Sequence, residues 1–208
     1  MALPTIHHHK GDLPADVTFP NGVAIDTEAM GLNPHRDRLC VVQLSGGDHT
    51  AHVVQVNLDT KFECPNLKRI LGDDSLLKIY HYGRFDIAVL YQYLGILTQN
   101  VFCTKIASKM TRTFTSKHGL KALCSDLLSI ELSKQSQTSD WGSETLTKEQ
   151  LAYAASDVLY LHKLKEKFEV LLAREGRTEL AQSCFDFLPT VAKLDLLGYE
   201  GDSIFNHS

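Results

Sequence analysis

No stretch of this 208-residue chain stays apolar for the roughly 20 residues that a helical bilayer crossing needs, so a membrane-spanning helix is excluded. The cysteines are few and scattered. Cys40, Cys64, Cys103, Cys124 and Cys184 are odd in number and include no Cys-x-x-Cys pair. That argues against a disulfide scaffold and for a reducing compartment. The first residues also lack the basic-then-apolar pattern of a secretory leader, so a cytoplasmic protein with no membrane partner is expected. A basic surplus is missing too: 21 Lys and Arg face 25 Asp and Glu, a net charge of −4. Proteins that wrap long nucleic acids usually carry the opposite balance. A hydrophobic content of 43% is too high for a disordered chain. Acids are absent from residues 87–125, where Lys105, Lys109, Arg112, Lys117 and Lys121 fall. A solvated helical face explains such a run by default, and a confined anion site becomes the better account only beside acidic metal ligands.

What is present reads as one α/β domain over residues 21–188, with an irregular arm at 1–20 and a tail at 189–208. His7, His8 and His9 in the arm fit plain surface or an appended remnant better than a metal tract, because three adjacent histidines cannot all face one ion. Strands are expected at 23–28, 38–44 and 50–56, the last two joined as a hairpin around Gly46-Gly47. A short helix follows at 65–71, then a strand at 77–81. A helix at 84–94 ends at Gly95 and turns Ile87, Leu90, Tyr91 and Leu94 inward. A strand at 101–103 precedes helices at about 105–111 and 120–128. Thr147-x-x-Gln150 is a capping box that opens one long helix to about residue 174. Its apolar stripe is Leu151, Ala155, Val158, Leu161 or Leu164, Phe168 and Leu172. A last helix is expected at about 178–185. Three antiparallel strands followed by alternating strands and helices imply one mixed sheet flanked by helices.

Three acidic signals stand out. Asp26-x-Glu28 lies on the first core strand, where residues two apart project from one face and can share hard cations. About one such pair is expected by chance in a chain of this composition. Asp86 follows Gly83 in the first turn of a helix, a place that the helix dipole already favours for an acid. Gly83 is expected to turn the chain from strand to helix. Tyr153 and Asp157 are four residues apart on a helix and share a face, with the small Ala154, Ala155 and Ser156 between them. Each signal alone has an ordinary structural explanation.

Together and in this order, they resemble the three motifs of the DEDD superfamily of 3′–5′ exonucleases, in the tyrosine-bearing branch that includes ribonuclease D. Tyr153-Ala-Ala-Ser-Asp157 and Ser139-Asp-Trp141 carry the likeness to ribonuclease D. The resemblance covers about residues 20–175 and implies a ribonuclease H-like fold. The short length, His35-Arg36-Asp37-Arg38-Leu39-Cys40-Val41-Val42-Gln43-Leu44, the run 102–109 and the run 184–189 are similar to the nanoRNase C family of alphaproteobacteria. That family is implied to clear dinucleotides, including linearised cyclic di-GMP, as a homo-octameric ring.

The resemblance implies two Mg²⁺ or Mn²⁺ ions held by Asp26, Glu28, Asp86 and Asp157, with Tyr153 orienting the attacking water or helping to remove its proton. Products would be nucleoside 5′-monophosphates. The implied substrate is short RNA, with longer RNA or single- or double-stranded DNA as the broader alternative. Leu32 is either a core leucine or a wedge between two bases. Tyr82 offers a ring for stacking, and Phe85 offers either stacking or packing. Arg84 is either a phosphate ligand or a helix-start surface residue. Thr27, His81, Lys105, Arg112, Gln135 and Trp141 complete the substrate-binding candidates.

Overall fold

In the computed structural model, which describes residues 3–56, 62–132, 139–199, 203–205 and 207, six strands form one sheet in the order β1-β4-β3-β2-β5-β6. The β-branched runs supply β2 (Val23–Ala29), β3 (Leu39–Ser45) and β4 (Thr50–Gln55), paired antiparallel. β5 (Lys78–Tyr80) and β6 (Val101–Cys103) continue the sheet in parallel. This is the expected mixed sheet of the ribonuclease H-like fold. Nearly every side chain of β3 and the first half of β2 is buried, because helices cover both faces.

One strand was not expected. The residues read as an irregular arm contain β1 (Thr5–Lys10), which pairs in parallel along the whole of β4. Its sequence carries no apolar alternation, the usual mark of a half-buried strand. Imidazoles hold it instead: His9 Nε2 and His52 Nδ1 lie 3.0 Å apart, and the His7 and His52 rings stack at 5.2 Å.

The helices are α1 (Pro65–Leu71), α2 (Gly83–Leu94), α3 (Thr104–Thr111), α4 (Leu120–Leu128), α5 (Lys148–Val158), α6 (Leu161–Arg174) and α7 (Thr178–Leu196). The expected single helix from Thr147 is thus two. Ala155, Val158, Leu161 and Leu164 are all buried and recur every three residues. On one straight helix of about 3.6 residues per turn, nine residues make about two and a half revolutions, so Ala155 and Leu164 would face opposite ways. The break at Leu159 and Tyr160 lets both reach the core. α7 also runs further than expected, through Pro189. Proline removes an N–H from the helix ladder, but Leu188, Pro189 and Ala192 are buried here. α7 packs on α2 and β6, and that contact carries the helix past the defect. Tyr91 corrects another expectation: it faces outward, while Ala88 and Val89 are buried.

Candidate active site

Local geometry places the first two acids. Asp26 and Glu28 are two apart on β2 and project from the sheet face that α5 covers. A bulge follows, since Glu28 pairs with Val41 but Ala29 with Leu39, leaving Cys40 unpaired in the register. Such bulges re-aim side chains near strand ends. β5 pairs with β2 only at Val23 and Ala24. Past that point the edge of β2 is open toward the first turn of α2, which carries Asp86.

The turn before α2 differs from expectation in one respect. Tyr82, not Gly83, takes the left-handed conformation, with φ of 71°. Gly83 is required for close approach: a Cβ there would stand 2.6 Å from the Tyr80 Cβ. Asp86 is buried, and its Oδ1 accepts a hydrogen bond from the Thr27 hydroxyl at 2.7 Å.

The third motif rides on α5. Thr147 Oγ1 accepts from the Gln150 N–H at 3.1 Å, and Gln150 Oε1 accepts from the Thr147 N–H at 2.9 Å, completing the capping box. Gln150 Nε2 also donates to the Asp140 carbonyl at 3.1 Å, fixing the turn that carries Trp141. Ala154 and Ala155 are fully buried, which brings α5 down onto the sheet. Asp157 then meets the β2 acids: one oxygen each from Asp26, Glu28 and Asp157 lie within 4.8 Å of one another. Asp86 stands beside this trio rather than inside it.

Four carboxyls in so little water repel their own ionisation. Burial, then Asp86, Asp157 and Glu28, push the Asp26 carboxyl well above the usual carboxylate range. Glu28 is raised to about 9 by burial and by Asp157 and Asp86. Asp157 and Asp86 are each raised to about 7, chiefly by burial, with hydrogen bonds from Tyr153 and Thr27 pulling the other way. The Tyr153 phenol is pushed up by burial and then by Asp157, Glu28 and Asp26, so it stays protonated. Hard oxygen donors packed this closely fit Mg²⁺ or Mn²⁺.

The remaining candidates divide. Leu32 is 85% exposed on the loop after β2, so it is not a core leucine. Asp37 holds that loop by accepting the Asn33 N–H at 3.0 Å. Tyr82 is exposed, with the Lys105 Nζ 4.2 Å from its ring centre. His81 Nδ1 lies 2.9 Å from Thr104 Oγ1, whose own proton goes to the Tyr80 carbonyl at 3.1 Å. The imidazole must therefore carry its proton on Nδ1 and keep Nε2 as an acceptor. Burial lowers its pKa to about 3, so it stays neutral. Phe85 packs against the core.

Other candidates are engaged elsewhere in the fold. Arg84 makes a two-pronged ion pair with Asp195 of α7. Arg112 is buried and paired with Asp126. Trp141 is 3% exposed, with its ring 6.1 Å from that of Tyr153. Thr27 holds Asp86. Gln135 lies outside the described residues. Sequence reasoning missed Gln43, fully buried on β3 opposite Asp26. Its signal was present: one amide inside the otherwise apolar run 39–44.

A ribonuclease H-like sheet with carboxylates gathered at its central strand defines a nuclease. The chain belongs to the 3′–5′ exonuclease family, whose sequence pattern matches residues 14–173. The ribonuclease D of Granulibacter bethesdensis is 34% identical over 155 residues, 74% of this chain and 38% of that protein. The DNA polymerase I of Aquifex aeolicus is 31% identical over 196 residues, 86% of this chain and 32% of that protein. The chain thus spans about two fifths of the length of the ribonuclease D relatives it matches. Among solved structures, Brucella melitensis NrnC bound to pGG is 56% identical with a TM-score of 0.94, covering 99% of this chain and 100% of that one. The same NrnC with Mg²⁺ is 55% identical with a TM-score of 0.92, covering 98% and 100%. This matches the nanoRNase C likeness drawn from the sequence. Among the described residues, no helix is long and apolar enough to cross a membrane.

Proposed function

We propose that the chain is a DEDDy-type 3′–5′ exoribonuclease that hydrolyses very short RNA, chiefly dinucleotides such as pGpG, to nucleoside 5′-monophosphates. The observation that carries this reading is the convergence of Asp26, Glu28 and Asp157 from two distant segments. The pGG-bound NrnC supports the substrate length.

Asp26, Glu28, Asp86 and Asp157 would hold two Mg²⁺ or Mn²⁺ ions. Bound there, the cations would supply a water of lowered pKa and charge stabilisation at the phosphoryl oxygens. Asp26, repelled by all three other acids, is central among the groups that would hold the cations. Glu28 and Asp157 would hold the cation that activates the water, and Asp86, its carboxyl fixed by the Thr27 hydroxyl, would serve the other. Tyr153, kept protonated, orients the attacking water rather than taking its proton.

A dinucleotide offers few phosphates, so affinity must come from a closed pocket rather than a long basic track. Leu32 serves as the wedge between the two bases, Tyr82 as a stacking ring, and Lys105 and His81 as polar contacts. The motif region is shared with ribonuclease D and DNA polymerase I, which favours longer RNA or DNA as the second reading. We place the enzyme in the cytoplasm as a homo-octameric ring. The exposed Leu180, Phe187 and Leu197 on and beside α7 are suited to burial in an assembly, and a solution mass equal to the monomer would remove the ring.

The functional test is a single-turnover series of 5′-labelled RNAs from two to seven nucleotides, with matched DNA. Dimers are expected to be cleaved fastest. Heptamers cleaved as fast as dimers would shift the assignment to the broader exonuclease.

A further inference from the structure

We propose that Gln43 is a positioning residue for the metal site, its side-chain Nε2–H reaching the Asp26 carboxylate through one buried water. This rests on the metal-binding reading above and adds a residue outside the three motifs.

Gln43 is fully buried, and among the described residues neither its Nε2 nor its Oε1 has a hydrogen-bond partner. A buried amide left without partners is costly, and native proteins rarely retain one without a use. Its place in the sheet indicates the use. Gln43 is the register partner of Asp26 across the antiparallel β2–β3 pair, and Val53 is its partner on the other side. Directly opposed residues project to the same face with Cβ atoms about 4.5–5.5 Å apart. A glutamine amide and one bridging water fit between two side chains so placed. Asp26 shares its site with Glu28 and Asp157, one oxygen of each lying within 4.8 Å of the others. A donor beside Asp26 would fix the orientation of its carboxyl group as a ligand.

The direction of the amide follows from a second orphan. Trp141 Nε1 is also buried without a partner among the described residues. Trp141 shares a packed cluster with Val41 and Val53, the residues flanking Gln43 along and across the strands. Indole N–H only donates, and a carboxylate only accepts. The amide orientation that would serve both puts Oε1 toward Trp141 and Nε2 toward Asp26. Partners of metal-binding groups commonly tune affinity by about 10–100-fold.

The test is Mn²⁺ binding by calorimetry and by thermal shift in the full chain, with Asp157→Ala as control. Gln43→Met removes the amide at nearly constant volume. We expect it to fold, to melt without metal at or above the wild-type temperature, and to bind Mn²⁺ about tenfold more weakly. Its kcat should recover at saturating Mn²⁺. Gln43→Asn keeps the amide but withdraws it by one methylene, and should weaken binding in the same direction should the Met variant fail to fold. A folded variant with wild-type Mn²⁺ affinity overturns the proposal, whatever its melting temperature. Wild-type protein that binds no Mn²⁺, or Asp157→Ala that binds it as well as wild type, overturns the metal-site reading instead.

Discussion

Replacing Asp26 with Asn should stabilise the metal-free protein while abolishing its response to metal. Oxygens of Asp26, Glu28 and Asp157 lie within 4.8 Å of one another. With an effective dielectric constant of about 20, each fully ionised pair at such a distance repels by about 3 kcal/mol. Protonation already relieves much of this, because the pKa values of the acids are raised. The net gain from Asp26→Asn at pH 8 is therefore about 1–3 kcal/mol. In a chain of this size that corresponds to a melting temperature higher by roughly 3–10 °C. The pH dependence has a definite sign. Unfolded carboxyls release protons near pH 4, while the folded ones hold theirs to about 7 for Asp86 and Asp157 and about 9 for Glu28. Between those limits the folded state binds more protons, so the stability of the metal-free wild type falls as pH rises. The advantage of Asn over Asp at position 26 should accordingly be small at pH 5 and large at pH 8. Calorimetric melts with EDTA, then with Mg²⁺ or Mn²⁺, measure both effects. A metal-free Asp26→Asn protein melting below wild type at pH 8, or one raised by metal as much as wild type, would refute the electrostatic account.

Tyr153→Phe should lower kcat by about a hundredfold or more while the melting temperature stays near wild type, because a water-orienting hydroxyl is lost and the ring still packs; single-turnover rates against circular dichroism melts decide it. Leu32→Ala should leave stability within about 0.5 kcal/mol, since the side chain is exposed, and should raise KM for dinucleotides more than for heptamers. Gly83→Ala should destabilise by about 1–3 kcal/mol, because its Cβ would overlap Tyr80 and shift the first turn of α2; an unchanged melting temperature would show that the turn tolerates the side chain.

Much of the site was legible because it is built from short-range geometry. The pair Asp26 and Glu28 needs only the alternation of a strand, and Tyr153 with Asp157 only the four-residue turn of a helix. The capping box fixed where α5 begins. The substrate candidates were less legible, because their roles depend on which partner reaches them first. Arg84 and Arg112 carry charge that the sequence leaves free, yet Asp195 and Asp126 take it up in the fold. Gln43 was readable as an oddity, but its relation to Asp26 exists only once β2 and β3 are in register.

From residue order alone came the alternation of strands and helices, the positions of the four acids and the tyrosine, and the helix limits set by Thr147 and Gly95. Such features depend on dihedral preferences and hydrogen bonds a few residues long. The tertiary structure decided that β1 joins the sheet, that α5 and α6 break apart, and that α7 runs through Pro189. It also decided which acids meet. These outcomes turn on burial and charge compensation between segments far apart in the chain, and those energies exist only when the chain is packed.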